Sequence, residues 1–147
     1  HWQETEEDST ETRGYFIEDD GGFQKPMDYW IGAMTFTPDG KYLITGSRDQ
    51  TIKLFEMPNG LEHRTLKGHG GWVRSLVVTP DGKVLISAGD DNTIRFWDLK
   101  SGRCFRTLKG HAGGVRGLAL SADGRRLATA SWDRTVKLWE GGAEPTE

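Results

Sequence analysis

The stretch GHGGWVRSLVVTPDGKVLISAGDDNTIRFWD, residues 68–98, decides how this chain is read. It opens on Gly68-His69, turns at Thr79-Pro80-Asp81-Gly82 and at Asp90-Asp91-Asn92, and closes on Trp97-Asp98. Between these points Val73 to Val78, Val84 to Ser87 and Thr93 to Trp97 are rich in β-branched, aliphatic and aromatic residues, and each reads as a short strand. The connections carry turn chemistry, because Pro presets φ, Gly supplies positive φ, and Asp or Asn bonds its own backbone. Beyond Lys100-Ser101-Gly102, Cys104 to Leu108 reads as a fourth strand. Four antiparallel strands joined by tight turns make a small twisted sheet.

The same punctuation recurs 42 residues away on both sides. Gly40 and Gly124 end the turns Thr37-Pro38-Asp39-Gly40 and Ser121-Ala122-Asp123-Gly124, Asp49 and Asp133 match Asp91, Phe55 and Trp139 match Trp97, and Gly110-His111 repeats Gly68-His69. Strands are therefore expected at Met34 to Phe36, Tyr42 to Thr45, Thr51 to Phe55 and His63 to Leu66, and again at Val115 to Leu120, Arg126 to Thr129 and Thr135 to Trp139. The third repeat has no fourth strand before the chain runs into Gly141-Gly142-Ala143-Glu144-Pro145. No stretch sustains a helical period, so the class is all-β.

These motifs, recurring in register over residues 31 to 140, resemble the WD-repeat β-propeller family, in which each repeat is a four-stranded blade and blades pack around a central channel. The resemblance implies three blades, at about 30–67, 68–109 and 110–140 within a region 23–140, in a ring that is incomplete or completed by an oligomer. It also implies a buried hydrogen-bonded tetrad in each blade. The matching residues are His69, Ser87, Asp91 and Trp97 in the second repeat and His111, Thr129, Asp133 and Trp139 in the third. These residue types complement one another, since Asp accepts from imidazole, His accepts the hydroxyl proton, and the hydroxyl accepts from the indole N–H. The first repeat keeps Thr45 and Asp49 but has Phe55 for Trp and Pro26-Met27 for Gly-His, so its blade is expected to rest on apolar packing and to be the least rigid.

His, Ser and Asp together also suggest a hydrolase triad. The set occurs twice at one spacing, which a single active site does not need, and the third repeat puts a poorer nucleophile, Thr129, in the serine's place. No catalytic residue is assigned. His1 and His63 lack partners at metal-ligand spacing, so no metal site is expected, and no cofactor motif is present.

If the tetrads are scaffold, binding belongs where the repeats differ. In the family it resembles, partners most often meet the face bearing the third and fifth residues after the loop His and the residue before the turn Asp. Those positions hold Trp30, Trp72 and Gly114; Gly32, Arg74 and Arg116; and Arg48, Asp90 and Trp132. Trp and Arg are the side chains most enriched at interface hot spots, and guanidinium pairs with carboxylate or phosphate, so a protein or peptide partner, acidic or phosphorylated, is expected. Local packing is the competing reading, for instance Arg74 paired with Asp90. The leading expectation is a non-catalytic interaction scaffold. The alternative is an accessory propeller of a multidomain enzyme, a kinase or peptidase, whose catalytic part lies elsewhere.

Charge and composition narrow the field further. Residues 1–20 hold eight acids and Arg13, a balance of −7, so the net charge of −3 leaves +4 elsewhere. The acidic segment 1–22 reads as a solvated tail with an outer strand conceivable near Gly14-Tyr15-Phe16-Ile17, and 141–147 as a second tail. A charge of +4 spread over all three blades, with no recognition helix, argues against nucleic acid. One cysteine, Cys104, rules out a disulfide framework, no apolar run suits a membrane span, and the pattern of a signal peptide is absent, so cytoplasm is the expected compartment. A chain starting at His1 reads as a cut piece. Three blades fall short of the four to eight of a closed ring, so a longer propeller, self-association into six blades, or an open arc are the expected solutions.

Overall fold

The computed structural model describes residues 30–141, which form eleven strands in three antiparallel sheets. In the first sheet β1 (Ile31–Phe36), β2 (Tyr42–Ser47), β3 (Ile52–Glu56) and β4 (Leu61–Leu66) lie in chain order. The second repeats this with β5 (Val73–Val78), β6 (Val84–Gly89), β7 (Ile94–Asp98) and β8 (Arg103–Leu108). The third has β9 (Val115–Leu120), β10 (Arg126–Ser131) and β11 (Val136–Glu140), and among the described residues nothing pairs with the far edge of β11. The stretch near Tyr15 and the Pro26-Met27 position lie outside the described residues.

Two turns per blade fix the registers. At the first, Asp39 takes the Thr37 hydroxyl at 2.7 Å and the Lys41 N–H at 2.9 Å, while Gly40 sits at φ +73° and bonds back to the Thr37 carbonyl. The same bonds recur at Thr79, Asp81 and Lys83 and at Ser121, Asp123 and Arg125. The second turn places Gln50, Asn92 and Arg134 at φ 78°, 68° and 73°. Only Asn92 is a residue type that enters this region readily. The preceding Asp holds the turn by accepting from the Thr two residues on, as Asp91 does from the Thr93 N–H at 3.1 Å and hydroxyl at 2.8 Å.

Several strands differ in extent from the sequence expectation. β1 begins at Ile31 instead of Met34, and β2, β6 and β10 run on to Ser47, Gly89 and Ser131. Gly32, Gly46 and Gly89 interrupt the apolar pattern there, and glycine is depleted in strands because it packs no side chain. The pairing tolerates them through register shifts between Ile31 and Ala33 and between Val73 and Ser75. β3, β7 and β11 each start one residue later than expected and end one later.

The core lies between sheets. Ile44, Ile52, Leu54 and Leu66 of the first meet Val73, Leu76, Leu85 and Trp97 of the second. On the other side Val84, Ile86, Ala88, Ile94 and Phe96 meet Val115 and Leu127, with Leu118 and Trp139 packed beside them. Both faces of the middle sheet are thus buried, and β6 is buried along its whole length. The innermost strands lie side by side, β1 against β5 and β5 against β9. On the third sheet the positions matching buried Ile94 and Phe96 are Val136 and Leu138, which are 69% and 76% exposed.

Candidate functional site: tetrads and an arginine–tryptophan ladder

In the middle blade, His69 reaches from the loop before β5, Ser87 stands in β6, Asp91 in the turn after it, and Trp97 in β7. His69 Nδ1 lies 2.9 Å from Asp91 Oδ2, His69 Nε2 2.7 Å from Ser87 Oγ, and the Trp97 indole donates to Ser87 Oγ at 2.8 Å. One proton arrangement satisfies every member: Nδ1–H donates to the carboxylate, the hydroxyl donates to Nε2, and the indole donates to the hydroxyl. The third blade has the same network, with His111 at 2.9 Å from Asp133 and 2.8 Å from Thr129, and Trp139 donating to Thr129 at 3.0 Å.

The Asp residues are held from more sides than the sequence pattern indicated. Asp91 accepts the Gly70 N–H at 2.8 Å, and Asp133 the Ala112 N–H at 3.0 Å. Thr93 and Thr135, absent from the expected tetrads, add hydroxyl donors at 2.8 and 2.5 Å. Their signal was visible as Asp-x-Thr repeating at Asp49, Asp91 and Asp133. Burial pushes the Asp91 carboxyl up, but the bonds from His69, Gly70 and Thr93 outweigh it and hold it well below the ordinary carboxylate range. For Asp133 the Thr135 hydroxyl is the largest influence, and with His111 and Ala112 it holds that carboxyl low against the effect of burial.

Ser87 has no exposed surface, and its oxygen already accepts an indole N–H. A substrate carbonyl cannot reach it, so the His-Ser-Asp set stiffens the blade and has no means of attack. In the first blade Phe55 is 1% exposed and offers no N–H; Asp49 is held there by the hydroxyls of Ser47 and Thr51.

The seven face residues come together as one chain of contacts across three blades. The Trp30 and Trp72 rings are 5.8 Å apart, and the Arg48 guanidinium lies 5.5 and 5.9 Å from them. Arg74 stacks on Trp72 at 3.6 Å and grips Asp90 through Nε at 3.2 Å and Nη2 at 3.1 Å. From the next blade Arg116 Nε approaches Asp90 at 3.4 Å, an ion pair without hydrogen-bond alignment, and its guanidinium lies 4.2 Å over Trp132. The order is Trp30, Arg48, Trp72, Arg74, Asp90, Arg116, Trp132. The pairing of Arg74 with Asp90 is therefore present as one rung of this ladder.

Two glycines make the ladder possible. A Cβ on Gly32 would stand 2.5 Å from Trp72 Nε1, and a Cβ on Gly114 would stand 2.9 Å from Asp90 Oδ1. Glycine at these two repeat positions leaves room for the indole and the carboxylate of the blade beside it. The mounting is regular: the backbone N–H of Arg48, Asp90 and Trp132 each donates at 2.9 Å, to the carbonyls of Trp30, Trp72 and Gly114. Among the described residues no group of three or more His, Cys, Asp or Glu could hold a metal ion, and no helix is long and apolar enough to cross a membrane.

Radial packing of four-stranded antiparallel meanders, stiffened by His–Ser/Thr–Asp–Trp tetrads, defines the class of repeat β-propeller blades. The pattern of the family described as WD domain, G-beta repeat matches residues 25–56, 60–98 and 102–140, and the chain belongs to that family. Among solved structures it is similar to the WD40 repeats of RRP9, with a TM-score of 0.75 and 26% sequence identity over 79% of this chain. It spans 37% of that chain's length. No curated protein sequence matches it. WD-repeat domains generally serve as protein-interaction scaffolds and typically carry no catalysis.

Proposed function

We propose that this chain is a non-catalytic scaffold whose arginine–tryptophan ladder receives a protein or peptide partner. The observation that carries this reading is the ladder itself. Trp30 and Trp132 are each 67% exposed at its ends, and of its three guanidiniums two, Arg74 and Arg116, face its single carboxylate, Asp90, while Arg48 lies against indoles alone. Indoles held in place by neighbouring side chains supply apolar area at low ordering cost, and guanidiniums supply directional donors for acidic groups. The tetrads beneath contribute stiffness. Replacing Trp72, Arg74 and Trp132 together with Ala is expected to abolish capture of partners by the immobilised chain while leaving its circular-dichroism spectrum unchanged. Retained capture sinks the reading.

The exposed Val136 and Leu138 face supports a second element, completion of the arc by further blades or by a second copy.

A further inference from the structure

The three guanidiniums of the ladder are not equivalent. Arg74 and Arg116 both turn to Asp90, whose carboxylate is gripped from its own blade and approached from the next. Arg48 has no carboxylate within ion-pair distance among the described residues. It is exposed, and its contacts are the Trp30 and Trp72 rings. A guanidinium lying against an aromatic ring keeps its in-plane N–H fork unspent, because the ring attracts the charge without accepting those hydrogen bonds. The Trp72 ring meets a guanidinium from each of two blades, Arg48 and Arg74.

The repeat shows what completes such a cluster. Arg48 and Asp90 occupy the same mount in successive blades, each tied by its N–H to the carbonyl of the tryptophan behind it. At the second mount the chain provides its own anion. At the first it provides a cation and two indoles.

We infer that Arg48, held against Trp30 and Trp72, seats a carboxylate of an acidic peptide segment of the partner, and that Asp90 is the chain's internal counterpart of that ligand group one blade away. The inference rests on the reading of the ladder as a partner surface. A carboxylate fits better than a phosphate, because one fork matches one carboxylate bidentately, as Arg74 matches Asp90, and a phosphate dianion calls for more than one cation. The apolar flanks suit leucine-type side chains beside the acid.

The test uses the full chain and three fluorescein-labelled peptides, Gly-Leu-X-Leu-Gly with X as Glu, Gln or phosphoserine, followed by fluorescence anisotropy. The Glu peptide is expected to bind about tenfold more tightly than the Gln peptide, the scale of one charge-assisted pair. Arg48→Gln removes that preference, Arg48→Lys keeps part of it, and Asp90→Asn strengthens Glu-peptide binding by releasing Arg74 and Arg116. No preference in the wild type, a preference that survives Arg48→Gln, or a phosphoserine peptide favoured more than about tenfold over Glu overturns the inference. The Trp72, Arg74 and Trp132 triple variant separates the two readings. If it loses all peptide binding while Arg48→Gln keeps the Glu preference, the surface stands and the Arg48 seat fails. If it binds the Glu peptide unchanged, the surface reading fails too.

Discussion

Ser87→Ala is the sharpest probe of the middle blade, because one oxygen serves two buried partners. The hydroxyl donates to His69 Nε2 at 2.7 Å and accepts from Trp97 Nε1 at 2.8 Å, and the three residues are 0%, 5% and 1% exposed. Alanine leaves an imidazole nitrogen and an indole N–H without partners where water has no access. Each such group costs about 1–3 kcal/mol, so the expected loss is about 2–6 kcal/mol. Thr129→Ala cuts the matching bonds in the third blade, but Trp139 is half-buried and its indole can turn toward water. His111 still loses its partner there, so with the missing methyl the expected loss is about 2–4 kcal/mol. Urea unfolding followed by tryptophan fluorescence measures both, and a chain of this size shifts its melting point by roughly 4 °C per kcal/mol. A Ser87→Ala loss below about 1 kcal/mol refutes the reasoning that the buried tetrad is held by its hydroxyl.

Acid should weaken the blades in a predictable direction. The Asp91 carboxyl is held below its ordinary 3.8 in the folded chain, so the unfolded chain takes up the proton first as pH falls. The stability it contributes is complete above about pH 5 and is lost as pH drops through 3.8 toward the folded value, and Asp91→Asn should flatten this acid limb in urea titrations from pH 7 to 3. Gly46→Ala is expected to destabilise by about 1–3 kcal/mol although Ala88 and Ala130 hold the same position in the other blades, because its Cβ would press into the stiff Val73 side chain; calorimetry reads the difference. Val136→Lys with Leu138→Glu should reduce any self-association seen by light scattering and leave the blade spectrum intact, since both side chains stand exposed on the open face.

The fold was legible because its determinants are local and repeated. The Asp-Gly turns and the Asp-x-Thr turns each fix a hairpin within a few residues, and the 42-residue period brings His69 to Ser87 and Asp91 by the same path as His111 to Thr129 and Asp133. Strand ends were less legible, since Gly46 pairs in the sheet in close contact with Val73 of the next blade and Gly89 in close contact with the Trp72 carbonyl of its own, and propensity runs against glycine there. Which residues share the face could be read from the repeat positions. Which of them touch could not: Asp90 meets Arg116 across a blade boundary, and Arg48 joins two indoles 42 residues apart. Those contacts depend on how blades are spaced and rotated, and the two glycines that permit them look in the sequence like ordinary loop residues.

The backbone bond beneath Arg48, Asp90 and Trp132 does not depend on the side chain above it. Each blade therefore offers one interchangeable fitting, and a guanidinium, a carboxylate and an indole already occupy the three without disturbing the sheet below. On the proposed reading of the ladder as a partner surface, substitution at these fittings alters what is recognised without engaging the tetrads. Charge at a fitting still answers to its neighbours: exchanging Arg48 and Asp90 would set a guanidinium against Arg74 and Arg116 in place of the carboxylate they share, so the fittings are alike in backbone and ordered in charge.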